Sequence, residues 1–283
     1  MKIAISAETT VDLTKEILEQ YNISVIPFHV LLGERDEPDG VITPQDIFEY
    51  VDKTGLLPKT SAINEYQFSH YFKDLLKEYD AVIHISLSSE ISSACENAIK
   101  TANGMSNVYI VDSHSLSTGI AHLCILARNM ANEGKEPQEI VDVLNKRKEH
   151  LQVSFVVNTM EYLYKGGRCT GMQKIAAALF RIKPQIVLRE GKMIPGKRYH
   201  GRNTAVVRSY VQDTLEEFNT PDLNLVFITH SHATSDMVEV AYEMLKEKGF
   251  KNIVETTAGA TITSHCGPRT LGILYLNDGE TAI

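Results

Sequence analysis

Several things this chain has little of narrow the reading first. Its four cysteines, Cys95, Cys124, Cys169 and Cys266, lie far apart and form no CxxC pair, so neither a zinc knuckle nor a redox motif is spelled. Such scattered usage fits a reducing compartment. No stretch approaches the ~20 consecutive apolar residues of a membrane span. The amino terminus turns polar after Ile5 and lacks the apolar segment of a signal peptide, so a cytoplasmic location is expected. Basic residues are outnumbered, 28 Lys and Arg against 36 Asp and Glu, and the formal charge of −8 argues against nucleic acid or an anionic membrane as the main partner. Neither GxSxG nor HExxH occurs, which weakens serine-hydrolase and metalloprotease readings. Internal repeats and low-complexity segments are also missing.

What is present is ordinary globular material: 283 residues, 43% hydrophobic and 23% charged. That length suits one large α/β domain or two lobes sharing a cleft. Lys2 to Ser6 reads as a buried strand, and Asp12 as the cap of a helix with Leu13, Ile17, Leu18 and Tyr21 inward. Ile23 to Pro27 is a second strand, and Gly33 to Gly40 reads as turns. Thr43 before Pro44 starts a helix, and Gly55 to Ile63 reads as a loop. Phe68, Phe72, Leu75 and Tyr79 recur at helical spacing. Asp80 to Leu87 is a central strand that feeds a serine-rich turn and a helix near Ser92 to Asn103. Val108 to Asp112 is the next strand, followed by a long helix carrying Ile120, Leu123, Cys124, Ala127 and Met130, and another begins at Pro137. This alternation predicts a mostly parallel sheet, with ligands in the crevice beyond the carboxyl ends of its strands.

From Leu151 the pattern changes. A strand at Leu151 is followed by a Gly166-Gly167-Arg168 break, the apolar run 175–182 and a hairpin of two short strands around Glu190-Gly191. Helices near Asn203 to Phe218 and Ser235 to Lys248 flank a strand from Leu225 to His230. The expected architecture is therefore two α/β lobes, residues 1–150 with a mostly parallel sheet and residues 151–283 with a mixed one.

Two motifs fail on inspection. Gly191 to Lys197 matches the start of a phosphate-binding loop, but Arg198 stands where Ser or Thr would hold magnesium, and the segment falls in the expected hairpin. His230 and His232, with Asp236 nearby, have a metal-ligand spacing but are too few for a zinc site. No metal and no cofactor is expected.

Three polar segments end strands or loops: Lys59 to Ala62, Ser86 to Ala94, and Ser264 to Pro268. Serines favour caps and turns in any protein. The second segment is richer than a cap requires, and its free N–H groups and hydroxyls, with a helix dipole behind them, would make an anion site. An acyl hydrolase would use Ser92 as nucleophile, His265 as base and Asp112 to orient it. A sugar- or phosphate-binding regulator is a further alternative. Arg168 and Arg202 each follow a glycine in a predicted loop and would offer a cationic surface to a partner.

In order and spacing, Glu8-Thr9-Thr10-Val11-Asp12-Leu13, Lys59-Thr60-Ser61, Ser88-Ser89 with Ser92, Val111-Asp112-Ser113, Tyr162-Leu163-Tyr164-Lys165-Gly166-Gly167-Arg168 and His265 with Gly267-Pro268 resemble the bacterial DegV family. The resemblance covers nearly the whole chain. It implies a two-lobed α/β fold with a long-chain fatty acid buried between the lobes, and a non-catalytic binding subunit that offers the acyl carboxylate to a separate ATP-dependent fatty acid kinase. By the same resemblance Thr60, Ser61, Ser92 and Ser93 would surround the carboxylate, with His265 completing the cage. Ala62-Ile63 and Ser93-Ala94 depart from the family's usual Gln-Pro and Gly-Thr, which affects the pocket's shape.

Overall fold

The computed structural model describes residues 1–168 and 182–279. In chain order the strands are β1 (Ile3–Glu8), β2 (Ile23–Ile26), β3 (His29–Leu32), β4 (Arg35–Pro38), β5 (Lys59–Ser61), β6 (Ala81–Ser86), β7 (Val108–Asp112), β8 (Leu151–Val156), β9 (Ile182–Arg189), β10 (Lys192–His200), β11 (Val226–Ser231), β12 (Ile253–Thr257) and β13 (Thr270–Leu276). The helices are α1 (Lys15–Gln20), α2 (Pro44–Thr54), α3 (Glu65–Leu75), α4 (Ala94–Ala102), α5 (Thr118–Asn132), α6 (Pro137–Arg147), α7 (Glu161–Lys165), α8 (Asn203–Glu217), α9 (Ser235–Lys248) and α10 (Ala260–Cys266).

Strands β2, β1, β6 and β7, in that order, form an all-parallel sheet. Every residue of β1 and β6 is buried, as parallel strands covered by helices on both faces must be. The order β10-β9-β8-β13-β11-β12 makes a six-stranded mixed sheet, antiparallel except between β11 and β12. The architecture is thus α/β with one parallel and one mixed sheet, as the alternating pattern predicts. All strands of the mixed sheet come from residue 151 onward. One continuous apolar cluster nevertheless joins Ile5, Ile83 and Ile120 of the first half to Phe155, Ile186 and Leu274 of the second.

Several local expectations are corrected. Thr14, not Asp12, caps α1; Asp12 sits in the left-handed region at φ 53° and turns its carboxylate inward. Segment 33–40 is the turn and second arm of a hairpin, and the expected loop 55–63 contains β5, which pairs with β3 to make a third, three-stranded sheet. The hairpin around Glu190-Gly191 is longer than expected, with strands of 8 and 9 residues and a bulge between Pro195 and Arg198. Strands β12 and β13 and helix α10 had no counterpart in the sequence reading. The run 175–181 and Cys169 lie outside the described residues. Thr43 caps α2 as its pattern with Pro44 predicts, in a reciprocal box with Asp46.

Candidate functional site

Helix α10 is the centre of the site, although its sequence, rich in Thr and Ser with a His and a Cys, has little intrinsic preference for a helix. Two distant carboxylates hold its first turn. Asp39 accepts from the backbone N–H groups of Ala260 at 2.8 Å and Thr261 at 3.0 Å, while Asp12 accepts from Gly259 N–H at 2.8 Å and from Ser117 Oγ at 2.5 Å. These are the donors that a helix start leaves unsatisfied, and acceptors from the chain's first 40 residues satisfy them. Burial pushes the Asp12 carboxyl up to about 8, against the pull of its two donors.

Helical spacing places Thr261 and His265 on one face of α10, and Ile262 and Cys266 on the adjacent one. His265 Nε2 lies 2.8 Å from Thr60 Oγ1. Thr60 is the inward residue of β5, flanked by exposed Lys59 and Ser61, because a strand's side chains alternate. Ser61 therefore points away from the His265 contact, contrary to the expectation that both hydroxyls converge. Burial, and next the Arg168 charge, lower His265 to about 4, so its imidazole is neutral near pH 7. Its Nδ1 is buried and has no hydrogen-bond partner, and Thr261 Oγ1 is in the same condition.

The close approach around His265 depends on two glycines. A Cβ on Gly166 would fall 2.5 Å from His265 Nδ1, and one on Gly267, which has φ +73°, would fall 2.6 Å from the Tyr162 ring. The Gly-Gly-Arg and His-x-Gly-Pro motifs, remote in sequence, are thus in contact. Arg168 donates to the Gly166 carbonyl at 2.7 Å and lines the same cavity as His265, so it stands at the site itself and not on a separate docking face. Arg202 is an exposed N-cap residue of α8 and does not line that cavity.

The serine-rich turn is more internally bonded than expected. Ser88 Oγ donates to the Gly191 carbonyl at 2.8 Å, Ser89 Oγ donates to Asp112 at 2.6 Å, and Ser92 Oγ accepts from Ala94 N–H at 3.2 Å. Ser92 still lines the cavity, but Ser93 is exposed at the α4 N-cap position and makes no side-chain cap bond. The turn's origin is fixed by Glu8, fully buried, which accepts from Ser86 Oγ at 2.5 Å and Leu87 N–H at 2.9 Å. The acyl-hydrolase arrangement is not assembled. Asp112 accepts from Ser89 and from His114 N–H, and the His265 partner is Thr60 and not Ser92.

Thr60, Ser92, Thr261, His265 and Arg168 meet at a cavity otherwise walled by apolar side chains such as Phe28, Leu87, Ile91, Leu163 and Met193. A second cavity adjoins it beneath Phe155 and Leu274. Each has a volume of about 30 Å³. Sequence reasoning missed Thr261 and the clamping Asp39, and gave Cys266, within the polar segment Ser264 to Pro268, no role of its own; the signal for Thr261 was the i, i+4 repeat of polar and apolar residues through 261–266. No group of three or more His, Cys, Asp or Glu among the described residues is placed to hold a metal. Instead, His230 bonds Glu255, and His232 packs against Phe48 with the rings tilted at 59°. Among the described residues no helix is long and apolar enough to cross a membrane.

The chain resembles known proteins over nearly its whole length. The family described as "Uncharacterised protein, DegV family" matches residues 2–278. A fatty acid-binding protein of Thermotoga maritima is 28% identical over 282 residues, covering 96% of each chain. Among solved structures, a DegV family protein of Thermus thermophilus superimposes with a TM-score of 0.91 at 24% identity, over 98% of this chain and 99% of that one. DegV of Bacillus subtilis, described as a fatty acid-binding protein, gives 0.85 at 25% identity over 98% and 99%. With a family match that runs almost from end to end, and with four of the motif segments contributing to one cavity through Thr60, Ser92, Arg168 and His265, the chain belongs to the DegV family.

Proposed function

We propose that this protein binds a long-chain fatty acid, with the carboxylate at Thr60, Ser92 and His265 and the tail running inward past Leu116, Ile262 and Cys266. The observation that carries the reading is the meeting of Thr60 and His265, 205 positions apart in the chain, at the polar end of an apolar cavity. The fatty acid-binding names of relatives from Thermotoga maritima and Bacillus subtilis support it.

The physical chemistry divides the labour. At ~0.8 kcal/mol per buried CH₂, a chain of about sixteen carbons gains on the order of 10 kcal/mol gross, so the tail supplies most of the affinity. Small as the cavities are, seating that chain requires side chains such as Leu116, Ile262 and Met193 to change rotamer and part. The carboxylate would lose several kcal/mol if buried without donors. With its neutral imidazole protonated at Nε2, His265 donates to Thr60 Oγ1 and leaves the Thr60 hydroxyl proton free for a carboxylate oxygen. The Ser92 hydroxyl, an acceptor from Ala94 N–H, likewise keeps its own proton to donate. Arg168 adds positive charge at the mouth. These donors fix which end faces out.

In this reading the chain is a non-catalytic subunit that offers the carboxylate to a separate ATP-dependent kinase. A carboxylate oxygen attacks the γ-phosphorus, ADP leaves, and the product is an acyl phosphate. Arg202 faces the kinase, and Arg168 serves the head group. We place the protein in the cytoplasm, consistent with free, buried thiols at Cys95, Cys124 and Cys266. Arg202→Glu is expected to lower phosphotransfer by the kinase and to leave bound lipid unchanged. Lipid loss from that variant would contradict the docking role. Saturating palmitate should raise the melting temperature of delipidated protein, since a ligand bound only by the folded state stabilises it. No rise would count against fatty acid binding.

A further inference from the structure

Of the three hydroxyls that line the polar cavity, those of Thr60 and Ser92 each have a protein partner, and that of Thr261 has none among the described residues. Thr261 is 3% exposed, so its hydroxyl has no outlet to bulk water. Its place in α10 explains the missing bond. A serine or threonine inside a helix commonly donates to the carbonyl four residues back. Ser264 does so, to Ala260 at 2.7 Å, and Thr263 bonds the Ala258 carbonyl and Ser231. Thr261 stands in the first turn, where the residue four back, Thr257, still belongs to β12. The backbone of that turn is engaged as well, since the N–H groups of Gly259, Ala260 and Thr261 go to Asp12 and Asp39. The donor this turn still holds toward the cavity is the Thr261 hydroxyl. His265 Nδ1, also unpaired, is an acceptor in the tautomer that donates to Thr60 and has no proton to offer a carboxylate.

Resting on the fatty acid reading above, we propose that Thr261 is a further hydroxyl donor to the acyl carboxylate, beside Thr60 and Ser92. A buried hydroxyl without a partner costs stability, and a carboxylate oxygen arriving in the cavity removes that cost. A carboxylate is an acceptor only, with about four lone-pair sites on its two oxygens, so it takes a hydrogen bond from each of the three hydroxyls and keeps a lone pair for attack on phosphorus. Helical spacing puts Thr261 one turn from His265 on the same face, with Cβ atoms about 5–6 Å apart. Its hydroxyl therefore meets the head group from α10, as Thr60 does from β5 and Ser92 from the turn before α4. Unlike Thr60, Thr261 gains its partner only when the acid is bound. It contributes to affinity and not to the stability of the free protein.

The test uses Thr261→Val, which keeps the branched shape and removes the hydroxyl, and Thr261→Ser, which keeps the hydroxyl. Delipidated proteins are compared by denaturant unfolding, by titration calorimetry with palmitate, and by the carbon-13 resonance of carboxyl-labelled palmitate. Thr261→Val is expected to leave the free protein at least as stable as wild type, to weaken palmitate binding about tenfold and to move the carboxyl resonance. Thr261→Ser should bind within about twofold of wild type and keep its resonance. A hydroxyl that serves only the fold, or only holds a water, gives the reverse: Thr261→Val loses stability before any lipid is added and binds palmitate as wild type does. That result, or equal affinity with an unmoved resonance, overturns the role of Thr261 while leaving fatty acid binding intact. If Thr261→Val fails to fold, Thr261→Ala removes the same donor and should show the same loss of affinity. Wild-type protein that takes up no palmitate overturns both readings.

Discussion

His265 and Thr60 matter because the one N–H of the neutral imidazole goes to Thr60 Oγ1 and leaves the Thr60 hydroxyl proton for a ligand. Removing either leaves a buried polar group without its partner, at about 1–3 kcal/mol. His265→Ala and Thr60→Val are accordingly expected to weaken fatty acid binding by about tenfold or more, measured by titration calorimetry, whereas Ser61→Ala and Ser93→Ala should leave it unchanged. Equal losses at all four positions would restore the wider hydroxyl cage that the sequence suggests. The ordinary histidine range lies near pH 6.5, but this imidazole titrates near 4, so its contribution to affinity should be flat between pH 5 and 8. An inflection near 6.5 that disappears in His265→Ala would contradict that assignment. Family motifs made Thr60, Ser92 and His265 legible from sequence. Ser61 and Ser93 were misplaced because adjacent residues in a short strand, or at a helix start, point in different directions, and a motif written as a string does not say which points inward.

At the scale of the element, α10 depends on Asp39 and Asp12 much more than on its own residues. Asp39→Ala removes the acceptor of two buried N–H groups and is expected to cost about 1–3 kcal/mol in denaturant unfolding, with a matching loss of fatty acid affinity as His265 shifts. Thr43→Ala, at the reciprocal cap of α2, should cost about 1 kcal/mol and leave affinity untouched. Asp12 adds a pH signature. Its folded-state value of about 8 lies above the ordinary 3.8, so the stability linked to its protonated form is complete below about pH 4 and is lost as pH rises toward 8. Unfolding measured at pH 5, 7 and 9 should show wild type losing stability relative to Asp12→Asn up to about pH 8 and holding level beyond it. A constant difference would show that Asp12 is ionised throughout. Strong periodicity made β1, β6, β7 and α5 readable in the sequence. Helix α10 was not, because its caps come from residues more than 200 positions away, and no local window contains them.

Across the whole molecule, the parallel sheet followed from the β-α alternation, and the mixed sheet from the hairpin signal after residue 150. The third sheet was hidden because β3, β4 and β5 are only three or four residues long and partly polar. We propose lobes at 1–150 and 151–283 that unfold together, because a single apolar cluster contains residues of both. Calorimetry should show one cooperative transition, and Phe155→Ala, within that cluster, should cost about 3–5 kcal/mol while preserving the single transition. Two separable transitions would contradict a shared core. The central claim concerns what lies between the halves, and mass spectrometry of the purified protein under native and then denaturing conditions tests it most directly. The account predicts a non-covalent adduct of fatty acid mass that is released on denaturation and is diminished in His265→Ala. Wild-type protein free of any acyl species even after incubation with long-chain acids, or an acyl group that stays covalently attached after denaturation, would contradict it.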